Sequence, residues 1–292
     1  MRETVLQLNS SYLGNERSIW ICEPESVSGA SDLVVFLDAE HYRDRIDALS
    51  VIEELRGQVA DSWYVFVSQQ SPEARWRECP CYPPFAGFIG EELLIWLASG
   101  YIDFKRIKRR VLAGVSYTGL AAAFVAKEYP GSFQKNISQS GSFWWNACWL
   151  VEEFRRLEQK IPVEFYLDVG TQEIRENVCH REDVVQVVSQ VEGVRRFRDA
   201  LLARGHAVRY NEFDGDHDYA CWNKTLVDAL KWGVVAPTGG TTRQLTYFPL
   251  RSVPDKQCGS LKTKFLLLVT KRIASLSASD LADALGLFHG AL

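Results

Sequence analysis

The stretch Arg110-Val-Leu-Ala-Gly-Val-Ser-Tyr-Thr-Gly119 decides the fold of this chain. Its apolar residues 111–113 predict a buried strand, and the alanine-rich residues 120–129 predict a helix that follows almost at once. Ser116 stands on the turn between them, with a glycine on either side. Such a turn exposes the serine hydroxyl at the end of a central strand, and the N-terminus of the helix offers unpaired N–H groups beside it. We therefore predict that Ser116 is a nucleophile.

The rest of the chain alternates between strand and helix patterns in the same way. Short apolar runs that predict strands lie at residues 18–22, 33–37, 63–68, 111–113, 136–139, 163–169 and 208–213. Several of them are apolar throughout, as is expected of strands that are buried on both faces of a parallel sheet. Valines at helical spacing predict one long helix over residues 180–204, with His180 at its start. We predict an α/β fold of the α/β-hydrolase type, with a mostly parallel central sheet and helices on both faces.

A serine hydroxyl is a weak nucleophile without a base, and His217 is the strongest candidate among five histidines. It follows the last predicted strand, at the sheet edge where sites form in α/β folds. The acid that orients the histidine comes between the serine and the histidine in the chain order of this fold. Glu173 lies in the loop after the strand at residues 163–169 and is the first choice. Asp168 lies inside that strand and is the alternative.

Two backbone N–H groups should stabilise the oxyanion that forms when the serine attacks a carbonyl group. One belongs to Tyr117, the residue after the nucleophile, and the other should come from Ala39 or Glu40, after an early strand. Thr118 holds the position of the second glycine in the usual G-x-S-x-G pattern. A glycine-rich turn that carries an unrelated serine therefore remains the alternative interpretation.

With these residues assigned, the chain resembles the enterochelin (enterobactin) esterase-like family of α/β-hydrolases, which is related to esterase D. The matching segments run in the family's order and lie at residues 13–20, 36–41, 75–79, 85–93, 114–119, 138–145, 170–173 and 214–218. The resemblance implies a hydrolase that cleaves ester bonds, in the best-known members those of a ferric catecholate siderophore. Ala39, Thr118 and Asp216 stand where the family tends to have glycines, but none of them replaces a catalytic side chain.

Aromatic and basic residues near the predicted site are candidates for binding the substrate. Trp144 and Trp145 follow the end of a predicted strand, Trp222 follows His217, and Arg75 lies in a matching segment. Aromatic faces can stack on aryl rings, and guanidinium groups pair with anionic oxygens such as those of a catecholate. For each residue taken alone, ordinary packing or a surface ion pair is an equally good interpretation.

Composition limits the partners of the chain. Of its 292 residues 47% are hydrophobic and 24% are charged, and the formal net charge is −4. This balance gives no reason to expect nucleic acid or an anionic membrane as a partner, and no apolar run is long enough to cross a bilayer. We expect a small-molecule ester as substrate, with a ferric siderophore as one candidate, and no cofactor or protein-bound metal.

The cysteines and the first residues point to a reducing compartment. The chain has seven cysteines, and residues 1–5 lack the apolar core of a signal peptide. Cys79 and Cys81 are separated by one residue, which is not a zinc-finger spacing. These features favour free thiols and a cytoplasmic localisation.

The serine chemistry leaves three functions open. A serine esterase is the first. A catalytically silent hydrolase-fold protein that binds a ligand is the second, and the substitutions at positions 39, 118 and 216 motivate it. Transfer of the acyl group to an acceptor other than water is the third, because the same residues support it.

Composition changes at residues 236–242, a turn-rich stretch that predicts a linker. We predict a hydrolase domain over residues 1–235, followed by a linker and tail over residues 236–292 that is poorly ordered. An oligomerisation arm and a late addition to the domain are the alternatives for the tail.

Limited proteolysis tests this boundary, because a protease first cuts segments without buried backbone. We expect a stable core that ends near residues 232–238 and keeps its activity, since Ser116, Glu173 and His217 all precede the cut. If a chain truncated there aggregates or loses its cooperative melting transition, the tail packs on the core and the boundary is wrong.

Overall fold

The computed structural model describes residues 1–25 and 31–234. The strands of this part of the chain are β1 (Arg2–Ser10), β2 (Asn15–Glu23), β3 (Ser31–Leu37), β4 (Trp63–Val67), β5 (Ile107–Val115), β6 (Lys135–Gln139), β7 (Glu164–Gly170), β8 (Val178–Arg181), β9 (Val184–Gln186) and β10 (Val208–Phe213). The α-helices are α1 (Ala39–Tyr42), α2 (Ala48–Glu54), α3 (Pro72–Glu78), α4 (Pro83–Gly87), α5 (Leu93–Gly100), α6 (Tyr117–Glu128), α7 (Trp145–Arg155), α8 (Gln190–Ala203) and α9 (Tyr219–Gly233). A π-helical turn (Phe88–Glu92) joins α4 to α5, and a 3-10 turn (Phe104–Arg106) precedes β5.

Eight strands form one sheet in the order β1-β2-β4-β3-β5-β6-β7-β10. The strands from β4 to β10 in that order run parallel, whereas β1 and β2 form an antiparallel hairpin that joins β4 in the antiparallel direction. The strand order reverses between β3 and β5, so that the chain leaves these two strands towards opposite sides and opens a crevice at their carboxyl ends. The predicted α/β fold with a mostly parallel sheet is confirmed.

Two hydrophobic layers cover the faces of the sheet. Residues that alternate along a strand point to opposite faces, and in β5 Val111 and Ala113 pack with α2 and α9, whereas Leu112 packs with the layer that contains α4 to α8. Residues 117–126 of α6 are all buried. The alanines of α6 let it lie close to β5 and β6, and this rigid packing fixes the position of its first residues at the crevice.

The predicted helix over residues 180–204 is wrong in its first part. β8 and β9 form a separate antiparallel hairpin there, and α8 begins only at Gln190. Ser189 caps α8, because its hydroxyl accepts the N–H of Glu192 at 3.2 Å. The sequence Ser189-Gln-Val-Glu192 is a capping-box pattern that marks this start. The valines before it fit the helical period only by chance.

The remaining sequence predictions concern membrane-spanning segments, the cysteines and the C-terminal tail. Within the described ranges, no helix is long and apolar enough to span a bilayer. The cysteines at positions 22, 79, 81, 148, 179 and 221 are all free thiols. The predicted boundary at residue 235 and the tail over 236–292 lie outside the described residues.

Candidate active site

Ser116 occupies a strained turn directly after β5. Its φ of 55° lies in the left-handed region, which a residue with a side chain adopts at a cost. Its N–H donates to the carbonyl of Gln139 at 2.9 Å, and its own carbonyl accepts the N–H of Ser142 at 3.0 Å. A Cβ on Gly114 would lie 2.0 Å from the Thr118 carbonyl oxygen, so only glycine fits before the turn. The hydrogen bonds to Gln139 at the end of β6 and to Ser142 just after it hold Ser116 at the crevice.

Thr118 stabilises the same turn, although it stands where a glycine is usual. Its hydroxyl accepts the N–H of Val115 at 2.9 Å and donates to the carbonyl of Val115, also at 2.9 Å. The side chain is completely buried and joins the first turn of α6 back to the end of β5. The substitution is therefore compatible with a well-formed turn.

The structure brings together the three side chains that the sequence predicts as nucleophile, base and acid. His217 Nε2 lies 3.1 Å from Ser116 Oγ, and His217 Nδ1 lies 2.6 Å from Glu173 Oε2. They come from loops after β5, β7 and β10, all at the carboxyl edge of the sheet. This is the geometry in which an imidazole removes a hydroxyl proton while a carboxylate fixes its tautomer.

Asp168 and Glu173 lie in different surroundings. Glu173 Oε1 accepts the N–H of Gly170 at 2.7 Å and the hydroxyl of Ser140 at 2.6 Å, which leaves Oε2 for His217. Asp168 is completely buried within β7, and its Oδ1 accepts the N–H of Ser140 at 3.2 Å. The geometry thus favours Glu173 as the partner of His217, and it gives Asp168 a contact with the neighbouring backbone instead.

Burial raises the pKa of Asp168 from its ordinary value of 3.8 to about 7, against hydrogen bonds from Thr225 and the Ser140 backbone that lower it. The folded protein therefore keeps a proton on Asp168 that the unfolded chain releases, and the stability from this group falls as pH rises from about 4 to about 7. The Asp168→Asn variant cannot ionise. As pH rises through that window, the free energy of unfolding of the variant relative to that of the wild type should increase by up to roughly 1.4 kcal/mol for each pH unit.

Thermal melting of both proteins at pH 5, 6, 7 and 8 measures this difference. A difference in melting temperature that stays constant over this range would show that Asp168 does not titrate there.

The candidate oxyanion donors lie at two helix starts. Tyr117 is the first residue of α6, and Ala39 and Glu40 are the first two residues of α1. β3, which precedes α1, pairs with β5, so both helix starts flank Ser116 at the same sheet edge. The Glu40 carboxylate accepts the N–H of Gln69 at 3.1 Å, which anchors α1 to the loop after β4. The first N–H groups of a helix have no carbonyl partner within it and can face an anion, although the N–H of Glu40 already donates to its own carboxylate.

Two cavities meet at Ser116 and His217. The main cavity has a volume of about 380 Å³ and lies on the α6 side of the sheet edge, where Trp76, Tyr117 and Trp144 line it. A smaller cavity of about 190 Å³ lies on the α9 side, where its lining includes His41, Val115, Tyr219 and Trp222. Arg75, Ser116 and His217 line both.

The four residues that the sequence predicts as substrate contacts lie in different places. Arg75 lines both cavities and is paired with Asp38 at 2.6 Å. Trp144 lines the main cavity, and its ring stacks on His180 of the β8–β9 hairpin with centroids 5.0 Å apart. Trp222 lines the small cavity, but it is only 5% exposed.

Trp145 is the exception among these four residues. It does not line either cavity, and its partly buried ring packs edge-on against Trp149, with centroids 6.4 Å apart. The residue starts α7, which packs on the core rather than on the crevice. The structure therefore does not bring Trp145 to the site.

Several residues of the site are missing from the sequence prediction. Ser142 Oγ lies 3.4 Å from Ser116 Oγ, and Ser140 contacts Glu173. Both follow β6 at the carboxyl edge of the sheet, and this position is the signal that could have identified them. On the other side of Ser116, His41 Nδ1 lies 3.0 Å from the Tyr219 hydroxyl. Burial lowers the pKa of His41 to about 4, so this imidazole is neutral at pH 7.

The described residues include no group of three or more histidine, cysteine or carboxylate side chains that could hold a metal ion. The site is instead a hydroxyl, an imidazole and a carboxylate, flanked by two helix starts. This arrangement can support nucleophilic attack by Ser116 on an acyl carbon.

A family model described as Putative esterase matches residues 10–232 of this chain. Among curated proteins, the Iron(III) enterobactin esterase of Dickeya dadantii is 29% identical over 246 residues, which are 79% of this chain and 54% of that protein. The Escherichia coli Iron(III) enterobactin esterase is 27% identical over 228 residues, 76% of this chain and 54% of that protein. The chain spans about half the length of these curated relatives.

Solved structures share the fold. The enterobactin esterase FES from Shigella flexneri, determined in the presence of enterobactin, has a TM-score of 0.66 at 23% identity, over 79% of this chain and 58% of that chain. A ferulic acid esterase has a TM-score of 0.62 at 14% identity, over 80% of this chain and 98% of that chain. At these identities the likeness shows the α/β-hydrolase fold.

Proposed function

The chain belongs to the enterobactin esterase-like putative esterase family, and from that premise we propose that it hydrolyses carboxylic esters with Ser116 as the nucleophile. The observation that carries the proposal is the continuous contact from Ser116 Oγ through His217 to Glu173, at 3.1 and 2.6 Å. A serine that is hydrogen-bonded to a histidine, with the histidine bonded to a buried carboxylate, is an activated nucleophile.

The reaction has two steps. Ser116 Oγ attacks the ester carbonyl carbon while His217 Nε2 takes the hydroxyl proton, and the N–H groups of Tyr117 and of Ala39 or Glu40 stabilise the oxyanion. His217 then gives this proton to the alcohol oxygen, and the C–O bond to the alcohol breaks. In the second step water attacks the acyl group on Ser116, His217 takes the water proton and returns it to Ser116, and the acid leaves.

We further propose an ester that carries an aryl ring as substrate, with a ferric catecholate siderophore as the first candidate. The curated relatives are named for Iron(III) enterobactin. Support from this chain comes from the main cavity, whose walls carry the rings of Trp76, Tyr117 and Trp144 together with the guanidinium of Arg75. Aromatic walls favour an aryl ring, and a guanidinium favours the anionic oxygens of a catecholate.

A fluorophosphonate probe tests the nucleophile directly, because it forms a covalent bond with an activated serine. Labelling should map to Ser116 and should disappear after heat denaturation. Failure of the folded protein to label would favour a silent ligand-binding protein instead.

Hydrolysis of a panel of aryl esters, alkyl esters and ferric catecholate esters then identifies the substrate class. Product analysis with an added alcohol separates hydrolysis from acyl transfer.

A further inference from the structure

The hydroxyl of Ser140 lies in a buried position between two residues that contact His217. Ser140 Oγ is 2.6 Å from Glu173 Oε1 and 3.0 Å from the indole Nε1 of Trp222. Ser140 is completely buried, and Glu173 and Trp222 are buried almost as deeply. Neither described cavity is lined by Ser140. This hydroxyl therefore acts on other side chains and does not touch the substrate.

The direction of each hydrogen bond follows from the chemistry of the groups. An indole N–H can only donate, so Ser140 Oγ accepts from Trp222. The single proton of Ser140 then points to the other neighbour, and a carboxylate oxygen can only accept it. With the N–H of Gly170 at 2.7 Å, Glu173 Oε1 receives two donors, and Oε2 remains for His217 Nδ1.

The backbone of Ser140 is held from both sides. Its φ of 44° lies in the left-handed region, which a non-glycine residue keeps only where its surroundings over-determine it. Its N–H donates to the Asp168 carbonyl at 3.0 Å, and its carbonyl accepts the side-chain amide of Gln190. These hydrogen bonds thus hold the Ser140 hydroxyl in a fixed position between β6 and β7.

Trp222 contacts the histidine as well. Its ring meets the His217 ring edge-on, with centroids 4.6 Å apart and planes at 85°. One indole therefore limits the tilt of the imidazole with its ring and orients Ser140 with its N–H.

We propose that Ser140 and Trp222 are positioning residues that hold the Glu173 carboxylate in the orientation that His217 requires, through a chain of hydrogen bonds from Trp222 to Ser140 to Glu173. The proposal rests on the proposed function, in which Glu173 orients the base. Neighbouring hydrogen bonds in a buried network polarise one another, so loss of one donor changes the others. Asp168 then serves the site indirectly, because it holds the backbone of Ser140.

Ser140→Ala removes the donor, and Trp222→Phe removes the indole N–H but keeps an aromatic ring against His217. Ser138→Ala is the matched control: this serine lies two residues earlier on β6, is equally buried, and has no hydrogen-bond partner within the described part of the chain. We expect Ser140→Ala to lower kcat roughly tenfold to a hundredfold with KM unchanged, since a hydrogen bond to a charged group is lost. Ser138→Ala should keep the wild-type kcat.

A second readout needs no substrate. The short hydrogen bond between His217 Nδ1 and Glu173 should give a proton NMR signal far downfield, identified by its absence in His217→Ala. This signal should move or broaden in Ser140→Ala and in Trp222→Phe, and it should stay in place in Ser138→Ala. Because the signal belongs to the resting protein, it tests the positioning role even if the wild type hydrolyses none of the esters offered, which would count against the proposed function alone.

The double variant Ser140→Ala/Trp222→Phe completes the test. If Trp222 acts through Ser140, its N–H adds nothing once the hydroxyl is gone, and the double variant should be no slower than the slower single variant. Additive losses would overturn the chain of hydrogen bonds. A wild-type kcat and an unmoved NMR signal in Ser140→Ala would overturn the proposal altogether, as would equal losses of kcat and melting temperature in Ser140→Ala and Ser138→Ala.

Discussion

The Ser116→Ala variant is expected to lose ester hydrolysis by about 10⁴-fold or more while it keeps the melting temperature of the wild type. Alanine cannot form the acyl enzyme, and the other site groups cannot replace a covalent intermediate. Stability should change little, because alanine adopts the same left-handed backbone at a similar cost and the partners of Ser116 Oγ are His217 and Ser142 at the crevice. Single-turnover hydrolysis of an activated aryl ester and a thermal melt measure the two quantities.

Ser142→Ala is the informative comparison for this variant. The Ser142 hydroxyl lies 3.4 Å from Ser116 Oγ, and Ser142 lines the main cavity, so it is a rival nucleophile. It has no contact with His217 among the described hydrogen bonds, and we expect a far smaller loss than in Ser116→Ala. Residual activity of Ser116→Ala within about tenfold of the wild type would exclude Ser116 as the nucleophile.

Glu173→Gln is expected to slow hydrolysis by roughly 10²- to 10⁴-fold, whereas Asp168→Asn should stay within about tenfold of the wild type. A glutamine can place an amide N–H opposite His217 Nδ1, which forces the imidazole into the wrong tautomer. Asp168 has no contact with His217, and an asparagine oxygen can still accept the N–H of Ser140.

Both variants should be assayed on one activated ester, with a melting curve for each so that unfolding is not mistaken for lost chemistry. If Asp168→Asn is folded but inactive while Glu173→Gln is nearly normal, the acid is Asp168 and the assignment of Glu173 is wrong.

The residues brought together at the crevice could be predicted because one topological rule covers them. In a parallel sheet, loops after the strands meet at the carboxyl edge. Ser116, Glu173 and His217 each follow such a strand, so their chain positions alone bring them to the same edge. Thr118 departs from the glycine that is usual in this turn. Only the structure shows that its hydroxyl forms two hydrogen bonds with the backbone of Val115, which stabilise the turn.

Other parts of the site could not be predicted, since they depend on contacts between distant segments. The orientation of Ser140 is set by Trp222, 82 residues further along the chain, and no local pattern carries that pairing. The sequence did not reveal the hairpin of β8 and β9, because Val184 of β9 and the valines at 187 and 188 just after it also fit a helical period. Trp145 looked equivalent to Trp144 in the sequence, but its ring packs against Trp149 instead of lining the crevice.

The two cavities on either side of Ser116 have a consequence for selectivity. In the proposed reaction the acyl carbon lies at Ser116, and an ester placed there would direct its acid portion and its alcohol portion towards different walls. Arg75, Ser116 and His217 are the lining residues common to both cavities. Preference for the acid and preference for the alcohol are therefore expected to be separable traits, which substitutions on opposite faces of the sheet can change independently.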